Sequence, residues 1–174
     1  MSGEPYTSSE DSALLRSALR GLSGGSCMEI GAGNCGNLLE LRKGFLLVVG
    51  TDVVRPMTSD WKGKGIEFLL ADSGSCLRSE AFDLVAFNPP YLPVEVSSDR
   101  TVEGGESLEV PKAFLREALR TVKRTGKIVF VLNDEADMAE IEEICAERSF
   151  TLTRVATRRA FFEELSVYSA AAKH

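Results

Sequence analysis

What most constrains this chain is a set of short, almost wholly apolar runs at 27–30, 45–49, 66–70, 82–87 and 127–132, separated by stretches with helical spacing. A strand apolar on both faces belongs in a parallel sheet covered by helices on either side, because a half-exposed strand alternates polar and apolar residues. The intervening stretches supply those helices. Over 9–22, Leu14, Leu15, Ala18, Leu19 and Leu22 fall on one stripe, with Ser8 and Ser9 as N-caps and Gly24-Gly25 as the stop. A short helix is predicted over 34–42, closed by Gly44. A third opens at Pro111 with Phe114, Leu115, Ala118, Leu119 and Val122 inward, and a fourth spans 134–148 with Met138, Ile141, Ile144 and Cys145 inward. Two β-rich stretches, 151–157 and 165–170, follow with a short linker between them. This order predicts one α/β domain over 1–174, with an opening helix at 1–25 ahead of a core at 26–174. The core is a doubly wound, mostly parallel, seven-stranded sheet that ends in an antiparallel hairpin.

Open sheets of this kind bind ligands beyond the carboxyl ends of their strands, near the point where strand order reverses. Four such ends carry glycine or polar residues: 29–36 after the first strand, Asp52 after the second, Asp72 with Ser73 after the third, and Asn88-Pro89-Pro90-Tyr91 after the fourth. Gly31, Gly33 and Gly36, with Ala32 inside the turn, have the G-x-G-x-x-G spacing that lets a backbone approach a ligand closely. Alone that spacing is weak, because a glycine turn between strand and helix is often only a tight connection. Asp52 adds weight, since its carboxylate can accept both ribose hydroxyls of an adenosine-containing ligand, and Asp72 can accept from the adenine amino group. Either aspartate by itself is more often a turn or cap residue. NAD(P) and S-adenosylmethionine both fit an adenosine site, and Glu29 separates them. A carboxylate two residues before the first glycine repels a pyrophosphate but suits the ammonium and sulfonium of S-adenosylmethionine.

Asn88-Pro89-Pro90-Tyr91 is the sharpest feature of the chain. As plain structure it is a rigid turn. As chemistry, two prolines fix the backbone so that the Asn88 side-chain oxygen and the Pro89 carbonyl can accept both hydrogens of one NH₂ group. An amide or aromatic amine has a delocalised lone pair and is a poor nucleophile. Two fixed acceptors help localise that pair and aim it, while Tyr91 packs on the flat group. The only histidine, His174, is terminal and is not expected to act as a base.

Composition removes several classes. With 20 basic and 26 acidic residues the net charge is −6, the wrong sign for a grip on phosphates, and the runs Arg116-Arg120-Lys123-Arg124 and Arg154-Arg158-Arg159 read as solvated faces. Cys27, Cys35, Cys76 and Cys145 are widely spaced and suggest neither a zinc site nor a disulfide framework. Without a bilayer-length apolar run or a signal-like N-terminus, the expected location is cytoplasmic, with room for a nuclear pool.

Taken in order, these segments resemble the class I S-adenosylmethionine-dependent methyltransferases that carry an N-P-P-Y motif, most closely the HemK-like protein glutamine methyltransferases. The likeness runs from Glu10-Asp11-Ser12-Ala13-Leu14-Leu15, similar to the family's E-D-T/S-x-x-L-L leading helix, through 29–33, Asp52, Asp72 and 88–91. Gly104-Gly105 is similar to the paired glycines of the following loop. The resemblance implies a Rossmann-like fold and S-adenosyl-L-methionine as cofactor, with S-adenosyl-L-homocysteine as product and no metal in this chain. The cofactor would be held by Ser12, Glu29, Gly31, Ala32, Gly33, Asp52, Asp72, Ser73 and Asn88, and Asn88, Pro89, Pro90 and Tyr91 would be catalytic. The implied substrate is the glutamine of the Gly-Gly-Gln loop of a translation release factor, methylated at N5. Bacterial members carry a helical domain ahead of the catalytic one. This chain begins almost at the leading helix, which resembles the short eukaryotic and archaeal branch, whose eukaryotic members work as heterodimers with a small zinc-binding activator. It departs from the family at 32–36, where Gly-Ser-Gly is more usual, and in a short tail.

A partner also has a physical motive, because the strand Ile66–Leu70 would lie at the sheet edge and an apolar edge is a liability until covered. An added strand there would bury neighbours of Phe68 and Leu69. Two other enzyme readings are adenine N6 methylation of nucleic acid, against which the negative charge stands, and lysine methylation, which needs a prior deprotonation. A cofactor-binding scaffold without activity is the reading from another class, and the intact 88–91 segment stands against it.

Overall fold

The structure, a computed structural model, describes residues 9–90, 109–133, 136–160 and 163–172. Along it run α1 (Ser9–Leu19), β1 (Gly24–Ile30), α2 (Gly36–Leu41), β2 (Phe45–Asp52), β3 (Ile66–Leu70), β4 (Phe82–Phe87), α3 (Glu109–Thr121), β5 (Val122–Asn133), α4 (Met138–Ala146), β6 (Phe150–Ala160) and β7 (Glu163–Ala172). The strands make one sheet in the order β3-β2-β1-β4-β5-β7-β6. Pairing is parallel from β3 to β5, while β7 is antiparallel to both β5 and β6. The doubly wound, seven-stranded sheet with a closing hairpin is the architecture expected from the sequence.

Alternation along the buried strands divides the core into two layers. In β4, Leu84 and Ala86 join a cluster with Leu15, Leu19, Leu38 and Leu41 of α1 and α2. Val85 and Phe87 join the opposite cluster with Leu115, Leu119 and Ile141 of α3 and α4. Phe87 stacks on Phe130 at 4.8 Å between ring centroids, and Phe130 on Tyr168 at 5.9 Å. Burying side chains of this size contributes roughly 1.5–3 kcal/mol each, so an aromatic row across β4, β5 and β7 anchors the antiparallel hairpin to the parallel sheet.

Several element ends differ from the sequence expectation, each for a local reason. α1 closes after Leu19, at a turn through Gly21 with φ +79°, while Gly24-Gly25 opens β1 instead of ending the helix. A Cβ at Gly24 would stand 2.8 Å from the Phe45 ring, so close strand packing is what requires glycine there. α2 starts two residues later than expected because Cys35 holds a left-handed conformation, φ 63°. α4 begins at Met138 because the Asp137 carboxylate accepts hydrogen bonds from the Ala139 and Glu140 amides. β5 starts at Val122 rather than 127, since Phe82 pairs with Val122 before the register jumps to Leu84 with Lys127. β3 is an edge strand, as expected.

Candidate active site

From β1 the chain winds outward through β2 to β3 and then crosses back to place β4 on the other side of β1, so the switch point lies between β1 and β4. Ile30 is level with Thr51 on one side and Phe87 on the other, which sets the turn after β1 between Asp52 and Asn88. That turn is strongly shaped: Gly31 (φ +68°), Gly33 (φ +50°) and Cys35 (φ 63°) are all left-handed. Asp52 holds it in place. One of its carboxylate oxygens accepts from the Gly33 amide at 2.8 Å and the other from the Val54 amide at 2.9 Å. Ala32 donates to the Thr51 carbonyl at 3.0 Å, and the Met57 amide to Asn34 Oδ1 at 3.0 Å. The half-buried Asp52 oxygens have each accepted one bond and retain capacity for another. On the α3 side, Phe114 closes the turn, lying 3.1 Å from where a Cβ of residue 31 would stand.

Glu29, one residue from the end of β1, is 2% exposed. Asn37 Nδ2 of α2 donates to its Oε1 at 2.7 Å, while Oε2 is buried with no partner. Burial pushes the carboxyl up to about 8, opposed by the Asn37 bond and the Arg16 charge and reinforced by Asp52. Buried polar atoms without a partner lie along the same end of the sheet and on the helices beside it. Among the described residues they are Arg16 Nε, Glu29 Oε2, Asn37 Oδ1, Thr51 Oγ1, Asn88 Oδ1 and Asn133 Oδ1. Four of these lie at or just beyond the carboxyl ends of β1, β2, β4 and β5, and the other two on α1 and α2, which pack against each other. An unpaired buried polar atom costs about 1–3 kcal/mol, so this rim keeps hydrogen-bonding capacity in reserve that folding alone does not use.

Asn88 follows β4 directly, two residues beyond Ala86, the partner of Glu29 across the β1–β4 pairing. It is half-buried and Pro89 is buried. Glu29, Gly31, Ala32, Gly33, Asp52, Asn88, Pro89 and the half-buried Pro90 thus share the β2-β1-β4 rim. Asp72 and Ser73 stand at its outer end beyond β3, with Asp72 exposed, Ser73 Oγ donating to Asp72 Oδ1 at 3.1 Å, and Ser73 left-handed at φ 50°. Ser12 is half-buried on α1, one turn ahead of Arg16. Tyr91, Gly104-Gly105 and His174 lie outside the described residues. Sequence reading missed Asn37, Arg16, Asn133 and Phe114. The signal for Asn37 was its place just after Gly36 at the head of the helix behind the glycine turn, whereas Asn133 and Arg16 became visible only through their neighbours in space.

Most charges of the basic runs face carboxylates, while Arg116 stays exposed. Arg120 pairs with Glu117 and donates to the Gly74 and Leu77 carbonyls, Lys123 pairs with Asp83, and Arg124 with Glu80. On the hairpin Arg154 and Arg159 share Glu164, and Arg158 reaches Glu10. A cavity of about 450 Å³ lined by Glu80, Arg124 and Arg148 lies at the amino end of β5, away from the rim.

No protein-family model matches the chain. It is 25% identical, over 96% of its length and 91% of the relative, to a Methanocaldococcus jannaschii protein named as a candidate protein N5-glutamine methyltransferase. Among solved structures it resembles the E. cuniculi Mtq2–Trm112 complex, described as methylating the termination factor eRF1, with a TM-score of 0.79 and 24% identity over 97% of this chain and 98% of that one. It also resembles the Synechocystis magnesium protoporphyrin IX methyltransferase with bound S-adenosylmethionine, with a TM-score of 0.61 and 17% identity over 95% of this chain and 77% of that one. These likenesses establish a Rossmann-like methyltransferase fold for the chain.

Proposed function

We propose that the chain is an S-adenosylmethionine-dependent protein N5-glutamine methyltransferase that modifies the Gly-Gly-Gln glutamine of a translation release factor, in the cytoplasm, as the catalytic subunit of a heterodimer. The observation that carries the reading is the pair of unpartnered buried oxygens at neighbouring strand ends, Glu29 Oε2 and Asn88 Oδ1. The first is a carboxylate oxygen poised for a cation, the second an amide acceptor poised for an N–H. The likeness to a candidate glutamine methyltransferase and to a complex described as methylating a release factor supports the choice of substrate.

The residues present fit the cofactor. Glu29 would take its ammonium, Asp52 its ribose hydroxyls, Asp72 with Ser73 its adenine, and the left-handed turn at Gly31 to Gly33 would let the backbone come close. When bound, the cofactor supplies a methyl group on positively charged sulfur. The chain's own part is positioning: Asn88 Oδ1 and the Pro89 carbonyl accept the two hydrogens of the substrate amide and turn its nitrogen lone pair toward the cofactor. Glu29, ionised once a cation faces it, would hold the cofactor's amino acid end, and exchange of the methyl's bond to sulfur for one to nitrogen would leave the substrate nitrogen to lose one proton to water.

The partner reading rests on where apolar surface is left open. Of eight large hydrophobics exposed among the described residues, seven fall between Leu46 and Leu70, on β2, β3 and their connection; Leu46 is 83% exposed and Leu70 56%. An edge strand with that surface suits a small protein that adds a strand to β3, and the family resemblance favours a zinc-binding activator in that role.

The test is to incubate the chain, alone and with such a partner, with methyl-labelled S-adenosylmethionine and a release factor. Label is expected on the Gly-Gly-Gln glutamine and should vanish when that glutamine is replaced. Label that persists on the substituted factor, or that appears instead on adenine or lysine, would redirect the substrate assignment.

A further inference from the structure

Arg16 stands in the middle of α1, and the helix delivers its head to the candidate site. Glu10, at the start of α1, reaches Arg158, whose strand partner Leu165 is in turn level with Asn133, so the N-terminal end of α1 lies over the carboxyl rim of the sheet. Helix side chains lean toward the N-terminus, which carries the Arg16 stem toward that rim. There its Nη2 lies 2.6 Å from the position a Cβ at residue 36 would occupy, so the glycine is what leaves the guanidinium its place. Its Nε is buried with no hydrogen-bond partner.

The charge is therefore near carboxylates but committed to neither. Glu29 and Glu40 both feel it, yet Glu29 is bonded by Asn37 and Glu40 is engaged by Lys43 and Arg20. A planar fork of donors with a buried, idle N–H calls for an anion, and a carboxylate matches it in a two-point contact. The amino acid end of the proposed cofactor carries an ammonium and a carboxylate on one carbon, and Glu29 answers only the first.

We infer that Arg16 binds the carboxylate of the cofactor's amino acid end, making with Glu29 a two-charge clamp that distinguishes an intact amino acid tail from a decarboxylated one. This rests on the methyltransferase reading above and names a residue for recognition of the cofactor.

The test compares two ligands by calorimetry on the full chain, co-expressed with its small partner and alone: S-adenosylhomocysteine, and the analogue that keeps the amine but lacks the carboxylate. The wild type should prefer the first by about 10- to 100-fold, the worth of a charge-assisted pair. In Arg16→Met that preference should collapse to within about threefold while binding of the decarboxylated analogue is held within about threefold, and Arg16→Lys should recover part of it. Should Arg16→Met fail to fold, Arg16→Gln carries the same expectation. A preference that survives the substitution, or an equal loss for both ligands, would show Arg16 to be a structural counter-charge and overturn the inference. A wild-type complex that binds neither ligand would instead overturn the methyltransferase reading, and this inference with it.

Discussion

Replacing Glu29 by Gln should stabilise the ligand-free chain, increasingly so as pH rises, while weakening cofactor binding. Burial lifts the Glu29 carboxyl from its ordinary 4.5 to about 8 in the folded chain, so the folded state holds this proton more tightly than the unfolded one. The contribution is thus fully present below about pH 4.5 and is lost as pH climbs through about 8. At 1.36 kcal/mol per pH unit, that span caps the cost of ionising Glu29 at about 5 kcal/mol. Glutamine retains the oxygen that accepts from Asn37 and has no charge to strand. The stability gap between Glu29→Gln and wild type should therefore widen by roughly 1.4 kcal/mol per pH unit between pH 5 and 8, reaching at most roughly 10–20 °C in melting temperature for a domain of this size. Urea and thermal melts of both proteins from pH 5 to 9 read it directly, and subtracting the two profiles removes the other titrating groups. Adding S-adenosylhomocysteine should close part of the gap at pH 9, because its ammonium gives the wild-type carboxylate a partner. A gap that stays constant within about 1 kcal/mol over the whole range would refute the claim that the Glu29 carboxyl is desolvated in the folded chain.

Three further outcomes follow from the geometry. Asn88→Ala should abolish methyl transfer while leaving S-adenosylhomocysteine affinity within about fivefold, as expected for a residue that acts mainly on the substrate; complete loss of cofactor binding by calorimetry would contradict that role. Gly44→Ala should cost roughly 2 kcal/mol or more in urea melts, since a Cβ there would stand 2.1 Å from the Leu22 carbonyl oxygen and backbone, not a pliable side chain, would have to yield. Leu46→Lys combined with Leu70→Lys should leave the isolated chain's stability within about 1 kcal/mol, reduce its aggregation in light scattering, and prevent co-purification of the small partner.

The strands were legible because a covered parallel sheet favours apolar residues on both faces, as Leu84 to Phe87 show, whereas the run Phe45 to Val49 is a strand that leaves Leu46 and Leu47 exposed. Helix ends were less so. Cys35 takes a left-handed conformation normally left to glycine, which delays α2, and the extension of β5 back to Val122 is decided by Phe82 on another strand. Within the candidate site, Glu29, Asp52 and Asn88 were legible because each lies in or within three residues of the carboxyl end of a predicted strand, where topology alone brings them to one rim. Arg16 and Asn133 were not, since neither their sequence spacing nor their neighbours hints at the glycine turn. Their idle N–H and C=O groups become informative only when burial is known.

The rim and the exposed apolar surface meet on β2. Its last residue, Asp52, holds Gly33 with one oxygen and Val54 with the other, and Asn34 in the turn accepts from Met57. Val53, Val54 and Met57 are themselves among the exposed hydrophobics, so the segment that would be covered by a partner is hydrogen-bonded directly to the turn that would cradle the cofactor. Ordering either one restrains the other, and a ligand that binds the restrained form benefits from whatever ordering the partner has already brought about. If the proposed function holds, cofactor affinity and partner affinity would be linked: by reciprocity, whatever factor the partner adds to cofactor binding, the cofactor would add to binding of the partner. On that reading the Asp52 carboxylate and the Asn34–Met57 hydrogen bond are the two links through which such coupling would pass.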